Sequence, residues 1–263
     1  MLINIKKQNI KVSVEDNINK LLIVCSHERS GTHYLMNSIS HNSIYTSKSF
    51  LNFDYMPLGD IVNFYNKVSI GDFFKKFSNL NMNGKNYCLS SIVKSHHSPH
   101  YFDNLFNDSK INFLYIYRNP IDTLISFWRF MHRWSWHEGP KVDDPFTFVR
   151  SKPDGQMTRY QKTSYHTIFD RWANHLTDWY TASQKNSNIF LINYRLLNED
   201  FDNTMSSIFR LLKINNNKKL LHPPKDYIKG KDIKFSDKNY SDLNKYINDN
   251  MLNYHIIEKN IKF

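Results

Sequence analysis

The stretch LLIVCSHERSGTHYLMNSI, residues 21–39, limits the fold of this chain more than any other. Its first five residues are apolar and indicate a buried strand, whereas the part that begins near Ser30 has the spacing of an amphipathic helix. Between them, HERSGT allows only a tight polar turn with one glycine, Gly31. Because the first N–H groups of a helix have no partner within it, a strand–turn–helix unit of this kind binds anions with its own backbone. The sequence therefore predicts an α/β fold with an anion site at this turn.

The rest of the chain alternates short apolar runs with longer helical patterns, which is typical of a central parallel sheet flanked by helices. The length of 263 residues suffices for one hydrophobic core, and we predict a single domain over residues 1–263 with its core between about 20 and 260. The predicted strands are Leu21–Cys25, Tyr87–Val93, Ile111–Tyr117 and Asn188–Asn193. Helices are predicted to begin near Ser30, Pro99, Pro120 and Leu196, and longer ones to cover about Tyr165–Gln184 and Ser241–Lys259.

Two irregular regions, Tyr45–Asn86 and His132–Ser164, interrupt this pattern. The second is rich in proline, glycine and charge, and we predict a surface excursion with a short helix inside it. Long excursions of compact domains are often lids or binding loops. Residues 132–164 are therefore predicted to act as a lid or as a binding loop.

Composition narrows the class of protein only slightly. The 35 lysines and arginines against 24 aspartates and glutamates give a net charge of +11, which suits an anionic ligand, a nucleic acid or an acidic surface alike. Cys25 and Cys88 lie in apolar runs and are expected to be reduced thiols of central strands. The sequence contains no apolar stretch long enough for a signal peptide or a membrane span, so a soluble, cytoplasmic protein is expected.

The turn after the first strand has several groups suited to a phosphate or a sulfate. The N–H groups of Ser30, Gly31, Thr32 and His33 would stand at the positive end of the helix dipole. Arg29 can reach a bridging oxygen, and the hydroxyls of Ser30 and Thr32 can donate to terminal oxygens. In the alternative interpretation Ser30 merely caps the helix.

A nucleotide-hydrolysing P-loop would need G-x-x-x-x-G-K-[ST], with the lysine on the phosphates and the hydroxyl on magnesium. Here the first glycine of that pattern is missing, and Thr32-His33 follow Gly31. This argues against an ordinary nucleotide hydrolase. A small-molecule or nucleotide kinase on a P-loop scaffold stays an alternative.

A second cationic group follows the predicted strand Ile111–Tyr117, in the segment YRNPIDTLISFWRFM. Arg118 stands where the strand ends, and Ser126 lies eight residues later within the next helix. Because ligands of parallel α/β folds bind at the carboxyl ends of the strands, Arg118 should face the same crevice as the glycine turn. Its guanidinium and the Ser126 hydroxyl would suit a second phosphate. Alternatively, Arg118 forms a surface salt bridge with Asp122, and Ser126 is an ordinary helix residue.

Together, HERSGTHYL and YRNPIDTLISFW resemble the paired nucleotide-binding motifs of the sulfotransferases that use 3′-phosphoadenosine 5′-phosphosulfate (PAPS). In that family the first loop holds the 5′-phosphosulfate, and the second motif, with Arg and Ser eight apart, holds the 3′-phosphate. The resemblance implies the P-loop NTPase-like sulfotransferase fold. It further implies transfer of a sulfuryl group from PAPS to a hydroxyl or amine of a small-molecule acceptor, with adenosine 3′,5′-bisphosphate as the product and no metal.

The resemblance extends along the chain from about residue 20 to 245. It assigns IVKSHH to the segment of the catalytic base, RWANHLTDWY to the family's Trp/His helix, FLINYRLL to the strand that ends in a tyrosine near the adenine, and YIKGK to the basic loop of the 3′-phosphate site. The cofactor-binding residues that it implies are Arg29, Ser30, Gly31, Thr32, His33, Tyr34, Arg118, Ser126, Tyr194, Lys229 and Gly230. The chain departs from the family pattern with Arg29 for a lysine, His33-Tyr34 for Thr-Trp and Ile228 for an arginine.

By the same resemblance, three residues are predicted to be catalytic. His96 would remove the acceptor proton, Arg29 would stabilise the leaving phosphate, and Lys94 would steady the sulfuryl oxygens. Lys94 and His96 are two residues apart and should share a side, whereas His97 should point the other way. The HHxxH cluster would also suit a metal or a purely structural role, and both alternatives stay open.

The acceptor is the least defined part of the prediction. Phe127, Phe130 and Met131 have core spacing, whereas Trp134 and Trp136 lie past it and are candidates for an acceptor pocket or lid. Acidic residues of the same loop, Glu138, Asp143 and Asp144, would suit a cationic acceptor or an ordinary solvated loop. We expect no nucleic-acid partner, although a basic nucleic-acid-binding protein is a second rival, and the sequence leaves both a monomer and a homodimer open.

Overall fold

The computed structural model describes residues 2–5, 8–11, 21–43, 45, 79–82, 85–88, 92–109, 111–215, 218–223, 229–251, 254, 255, 257 and 259. Its strands are β1 (Leu2–Ile5), β2 (Gln8–Lys11), β3 (Leu21–Cys25), β4 (Asn79–Met82), β5 (Lys85–Cys88), β6 (Ile92–Ser95), β7 (Ile111–Tyr117) and β8 (Ile189–Asn193). Its α-helices are α1 (Thr32–Asn42), α2 (Pro120–Met131), α3 (Pro145–Arg150), α4 (Ile168–Lys185), α5 (Tyr194–Glu199), α6 (Phe201–Leu211) and α7 (Asp237–Asn250). Two 3₁₀ helices cover Pro99–Phe102 and Gly155–Tyr160.

The centre of the described part is a four-stranded parallel sheet with the order β6-β3-β7-β8. Its register pairs Cys25 with Ser95 on one side and with Tyr115 on the other, and Tyr117 with Asn193. All four strands therefore end at the same edge, which is where parallel α/β folds bind their ligands. The predicted α/β fold with a central parallel sheet and flanking helices is confirmed.

Both faces of the sheet are covered by helices, as the uninterrupted apolar runs of β3 and β7 require. Alternation along β3 sends Leu22 and Val24 into a core shared with α1 and α6, and Ile23 and Cys25 into a core shared with α2, α3, α4 and α7. The strands are buried on both sides because each core needs one set of their side chains. This double burial holds the carboxyl edge of the sheet in a fixed geometry.

The long helix α4 begins at a capping box, in which Thr167 and Asp170 satisfy each other's backbone N–H groups. Its buried side carries mainly aromatic and apolar residues: Ile168, Phe169, Trp172, Leu176 and Trp179. The predicted helix over Tyr165–Gln184 thus exists with slightly shifted ends.

Three predictions around β6 are wrong. The run Tyr87–Val93 is not one strand, because Cys88 ends β5 of an antiparallel pair while β6 begins at Ile92 and continues through Lys94 to Ser95. The apolar run crosses two elements, and pairing with β3 extends the second one over polar residues. Cys88 is consequently not in a central strand, and the helix predicted at Pro99 is only a single 3₁₀ turn.

The region 132–164 contains the predicted short helix, α3, but it is not a peripheral excursion. Phe148, Val149, Met157 and Tyr160 are buried, and the indole N–H of Trp128 donates to the carbonyl of Val142 at 2.7 Å. Much of this segment therefore belongs to the core beside α2 and α4. Most of the other irregular region, Tyr45–Asn86, lies outside the described residues.

Candidate functional site

The turn after β3 has two residues in the left-handed region: Arg29 with φ 68° and Gly31 with φ 102°. Gly31 is the N-cap of α1 and no side chain caps the helix, so the alternative role of Ser30 as a capping residue is wrong. The N–H of Ser30 donates to the carbonyl of His27 at 3.3 Å. In the described part of the chain the N–H groups of Gly31, Thr32 and His33 have no acceptor. The positive end of α1 therefore presents backbone donors toward the carboxyl edge of the sheet.

Tyr194, the first residue of α5, covers this turn. A Cβ atom placed on Gly31 would lie 2.3 Å from Cδ2 of Tyr194, so only glycine allows the ring to pack there. The guanidinium carbon of Arg118 lies 4.7 Å from the centre of the same ring. Gly31 and Arg118 are thus both in contact with one side chain, which places the two predicted phosphate motifs in one crevice.

The two motifs also meet directly. Nε of Arg29 donates a hydrogen bond of 3.1 Å to Oγ of Ser126, and its guanidinium lies 4.8 Å from the centre of the Phe130 ring. The sequence predicted separate roles for Arg29 and Ser126, one at each end of the cofactor. In the structure the side chains of Arg29 and Ser126 are in direct contact.

The segment that carries Lys229 and Gly230 packs along α2, one turn beyond Ser126. Arg133 donates to the carbonyl of Lys229 at 2.7 Å, and the N–H of Lys231 donates to the carbonyl of Arg129 at 3.0 Å. A Cβ on Gly230 would lie 2.9 Å from Cβ of Arg129, so the close approach requires glycine. Ile228 of the YIKGK segment lies outside the described residues.

His96 follows β6 and is buried beside the turn. Its Nδ1 lies 2.9 Å from the carbonyl oxygen of Ser26, which can only accept, so Nδ1 carries the proton and Nε2 carries the lone pair. Burial and the nearby Lys94 ammonium lower the pKa of His96 well below its usual value, while Glu28 and the Ser26 carbonyl act against this shift. The ring is therefore neutral at pH 7, in the tautomer that leaves Nε2 basic.

Further positive charge surrounds the turn. Burial and the charges of Lys94 and Arg29 lower the pKa of His33 to about 4, so this histidine is neutral at pH 7 and lies close to both cations. Lys94 itself is buried and influences both His33 and His96. The structure thus brings together all three predicted catalytic residues and the turn at the carboxyl edge.

A buried ion pair beneath the turn was not predicted. Arg171 of α4 donates to both carboxylate oxygens of Glu28, at 2.7 and 2.9 Å, and to Nε2 of His27 at 2.7 Å. The sequence contained a signal for it: Arg171 is four residues before His175 and therefore shares the buried face of α4. A buried guanidinium requires a buried carboxylate, and the one beside Arg29 was available.

The same helix also holds the segment of His96. Nε2 of His175 donates to the carbonyl of His96 at 3.1 Å, Nδ1 accepts from the hydroxyl of Tyr115 at 3.0 Å, and the indole N–H of Trp179 donates to the carbonyl of His97 at 3.2 Å. Burial and the nearby His27 and Arg171 lower the pKa of His175 to about 3. His175 is therefore a neutral structural residue that fixes the backbone of the predicted base.

Comparison with known proteins identifies the family. A sequence model of the sulfotransferase domain matches residues 19–259. The chain belongs to the sulfotransferase domain family. The predicted family is confirmed.

Solved structures agree with this family. A sulfotransferase from Alicyclobacillus acidocaldarius is similar over 88% of this chain and 92% of its own, with a TM-score of 0.52 and 10% sequence identity. Mouse sulfotransferase SULT7A1 complexed with PAP matches 88% of this chain at 16% identity and a TM-score of 0.46, and the present chain spans 65% of its length. Retinol dehydratase in complex with androsterone and the inactive cofactor PAP matches 90% of this chain and 69% of its own at 14% identity, with a TM-score of 0.41. The predicted sulfotransferase fold is confirmed by the first of these structures.

In this sulfotransferase-family protein, aromatic rings lie beside Arg29 and, separately, beside His96. The ring of Phe130 contacts Trp134, which stacks on Trp136 with the ring centres 4.2 Å apart. On the other side the ring of Tyr160 lies 5.6 Å from that of His96. The predicted candidates Trp134 and Trp136 are thus connected to Arg29 through the ring of Phe130.

Two acidic residues of the region 132–164 have local partners. Glu138 is buried, pairs with Arg159 at 3.0 Å and accepts from the indole N–H of Trp136 at 3.0 Å. Asp144 caps α3 by accepting from the N–H of Thr147. Glu138 therefore fixes the orientation of Trp136 rather than forming part of an ordinary solvated loop.

The described part of the chain contains neither a cluster of metal ligands nor a helix that could span a membrane. Within it, no three His, Cys, Asp or Glu side chains lie close enough together to hold a metal ion. Its helices include none that is both long and apolar enough to cross a bilayer.

Proposed function

We propose that the protein transfers the sulfuryl group of PAPS to a hydroxyl or amine of a small-molecule acceptor and releases adenosine 3′,5′-bisphosphate. The observation that carries the proposal is the contact of one side chain, Tyr194, with both Gly31 and Arg118. A doubly phosphorylated adenosine needs an anion site for each end, and both sites must open onto the same crevice. The helix terminus at Gly31 and the guanidinium of Arg118 supply such a pair.

The residues at the crevice fit this cofactor. Nε of Arg118 is buried and has no hydrogen-bond partner among the described residues, so it has a donor to offer to an oxygen anion. The N–H groups of Gly31, Thr32 and His33 likewise have no acceptor in the described part of the chain. When bound, PAPS supplies the sulfuryl group and a phosphate leaving group.

The 5′ end of the cofactor would be held by the turn after β3. The backbone donors and the hydroxyls of Ser30 and Thr32 would bind it, and Arg29 would stabilise the negative charge on the leaving phosphate. Because Arg29 already donates to Ser126, its guanidinium is directed toward the second motif. No metal is required, since arginine and the helix terminus provide the positive charge.

The 3′-phosphate would be held by the second motif. Arg118 and Ser126 would bind it, with support from Lys229 and Gly230 beside α2. The rings of Tyr34 and Tyr194 lie 6.2 Å apart and would contact the adenine.

His96 would act as the general base. Its Nδ1–H bond to the carbonyl of Ser26 keeps the proton on Nδ1, so Nε2 can accept the proton of the acceptor hydroxyl or amine. Burial and the charge of Lys94 lower the pKa of His96 and so keep the imidazole neutral before the reaction, and Lys94 would steady the sulfuryl oxygens. Position and charge, rather than covalent chemistry of the protein, would carry most of the rate.

The acceptor would bind beside Trp134, Trp136 and Tyr160, within the region 132–164. The stacked indoles and the Tyr160 ring next to His96 support this location. A small-molecule acceptor, a location in the cytoplasm and the lack of a nucleic-acid partner stay predictions from the sequence.

Thermal stabilisation tests the proposed cofactor. Adenosine 3′,5′-bisphosphate at 100 times its dissociation constant should add about 2.7 kcal/mol to the free energy of unfolding, which raises the Tm of a domain of this size by about 5–10 °C. ATP with Mg²⁺ at the same concentration should raise it much less. A shift with ATP–Mg²⁺ and none with the bisphosphate would overturn the proposal in favour of a kinase.

A further inference from the structure

We infer that the buried Glu28–Arg171 pair is a positioning device, through which α4 sets the direction of the Arg29 guanidinium relative to His96. The inference rests on the proposed function, because it concerns the geometry of the proposed cofactor site. It assigns a role to two residues that contact neither the predicted phosphate donors nor the predicted base nitrogen.

The pair fixes the backbone on the amino side of Arg29. Arg171 grips the carboxylate of Glu28 with two hydrogen bonds and also donates to Nε2 of His27. Nδ1 of His27 in turn donates to the backbone carbonyl of Glu28 at 3.0 Å. The peptide that precedes Arg29 is thus held through its own carbonyl and through the side chains of the two residues before it, His27 and Glu28.

Arg29 needs this support because it is a non-glycine residue with φ 68°. A left-handed conformation costs a residue with a Cβ atom roughly 1–2 kcal/mol, so it persists only where neighbouring contacts impose it. The conformation directs Nε of Arg29 to Ser126. Releasing the Glu28 carboxylate would let the turn relax and the guanidinium swing away from the second motif.

The same face of α4 holds the base. Arg171 and His175 are one helical turn apart, and His175 donates to the carbonyl of His96. One rigid helix therefore contacts the cofactor turn at Glu28 and the base segment at His96. In-line transfer depends on the distance between the leaving group and the base. Because α4 contacts the segments that carry Arg29 and His96, it can fix this distance.

Stability alone does not account for the pair. Arg171 and Glu28 are only 2% and 5% exposed, and taking both charges out of water costs several kcal/mol for each ion. Apolar side chains of similar volume are often as stable as a buried ion pair or more so. An apolar pair could not form the directional hydrogen bonds with which Arg171 holds the turn.

The double variant Glu28→Met/Arg171→Met separates positioning from stability. We expect a Tm close to that of the wild type, together with an affinity for adenosine 3′,5′-bisphosphate that is reduced roughly tenfold or more, measured by isothermal titration calorimetry without turnover. An unchanged dissociation constant in a folded double variant contradicts the inference.

The single variant Arg171→Lys is the second measurement, and it decides the question if the double variant does not fold. Lysine keeps the charge but cannot form the two-pronged contact with Glu28 and the bond to His27. Its bisphosphate affinity should fall at least about fivefold, as expected when a charged hydrogen bond in the support of the site is lost. An affinity equal to that of the wild type would refute the positioning role.

Ile247→Val is the matched control for a loss of stability. Ile247 is a buried residue of α7, which packs against α2 and α3, and shortening it should lower the Tm by about 1–6 °C while leaving bisphosphate affinity unchanged. Bisphosphate binding by the wild type distinguishes a failure of the proposed function from a failure of the positioning inference. If it does not bind the bisphosphate, the proposed function fails; if it binds and Arg171→Lys binds equally well, only the positioning inference fails.

Discussion

The turns that follow β3 and β7 lie at the same edge of one sheet, yet they are built differently. In the first, residues 26–32, the hydroxyls of Ser26 and Thr32 are 2.6 Å apart, and His27 and Glu28 are bound to Arg171. In the second, Asn119 caps α2, and Arg118 has a partly exposed side chain whose ion pair with Asp122 measures 3.4 Å.

This difference separates a backbone site from a side-chain site. The first turn offers helix N–H groups, and its buried network keeps them in one geometry. The second offers a partly exposed guanidinium, and its surface ion pair with Asp122 contributes little to stability. Substitutions in the first turn should therefore affect the anion site by altering its geometry, and substitutions in the second by altering its charge.

The largest expected effect concerns His96, the proposed base, whose ring is hydrogen-bonded to Ser26 of the first turn. His96→Ala should lower the rate of sulfuryl transfer from PAPS by about 10²–10⁴, because the general base is lost. Its affinity for adenosine 3′,5′-bisphosphate should stay that of the wild type. Release of the bisphosphate from PAPS in the presence of a panel of hydroxyl and amine acceptors measures the first, and calorimetry the second.

The exposed His41 at the end of α1 is the control for His96, since His41→Ala should change neither quantity. An equal loss of rate in both variants would contradict the assigned base.

Arg118→Ala should break the second site through charge. Losing charge-assisted hydrogen bonds to a phosphate weakens bisphosphate binding by about 1.5–3 kcal/mol, or roughly 10- to 100-fold. The Tm without ligand should hardly change, because Arg118 is partly exposed. Titrations at several salt concentrations should also show a smaller salt dependence of the affinity than in the wild type.

Arg150→Ala removes an exposed arginine of α3 and serves as the charge-matched control. If it weakens binding as much as Arg118→Ala does, net charge rather than the second motif determines the affinity.

Gly31→Ala should break the first site through geometry. The new Cβ would lie 2.3 Å from the ring of Tyr194 at a residue with φ 102°, so the free energy of unfolding should fall by about 1–3 kcal/mol. Urea denaturation measures this loss. Repeating the change in a Tyr194→Ala background should recover the part due to the clash and leave the part due to the backbone; equal losses in both backgrounds would mean that the ring does not cover the glycine.

Lowering the pH should destabilise the buried hydrogen-bond network beneath the first turn. Burial lowers the pKa of His27 to about 4 and that of His175 to about 3. In the unfolded chain both histidines have their ordinary pKa of 6.5, so between these values they bind protons in the unfolded chain but not in the folded one. The free energy of unfolding should therefore fall as the pH drops below 6.5, by up to about 1.4 kcal/mol per pH unit for each such histidine, until the pH reaches the folded values.

Denaturation midpoints between pH 7.5 and 4.5 test this dependence. His175→Gln keeps an amide donor and acceptor but cannot titrate, so its stability should change less over that range. Equal pH dependence in both proteins would show that His175 is protonated in the fold.

The sequence predicted those parts of the molecule that depend on local pattern. β3 and β7 have the predicted bounds because their apolar runs are buried on both faces, and Gly31 and Arg118 follow them at the predicted edge. β6 was misplaced, since Lys94 and Ser95 are polar yet pair with β3.

Contacts between distant residues were not predictable from local pattern. The Glu28–Arg171 pair joins two elements whose packing no single segment encodes. For the same reason Arg29 and Ser126 were assigned to opposite ends of a ligand, although their side chains are in direct contact.

The cover that Tyr194 places over Gly31 has a consequence for biosynthesis. A ribosome releases β3, α1 and β7 early, but the aromatic cover arrives only after β8 has emerged and aligned with β7. Until then the open turn is exposed to whatever anions the nascent chain meets. Competence for the proposed nucleotide should thus be absent until residue 194 clears the exit tunnel, and it should be complete only once Lys229 and Gly230 have followed.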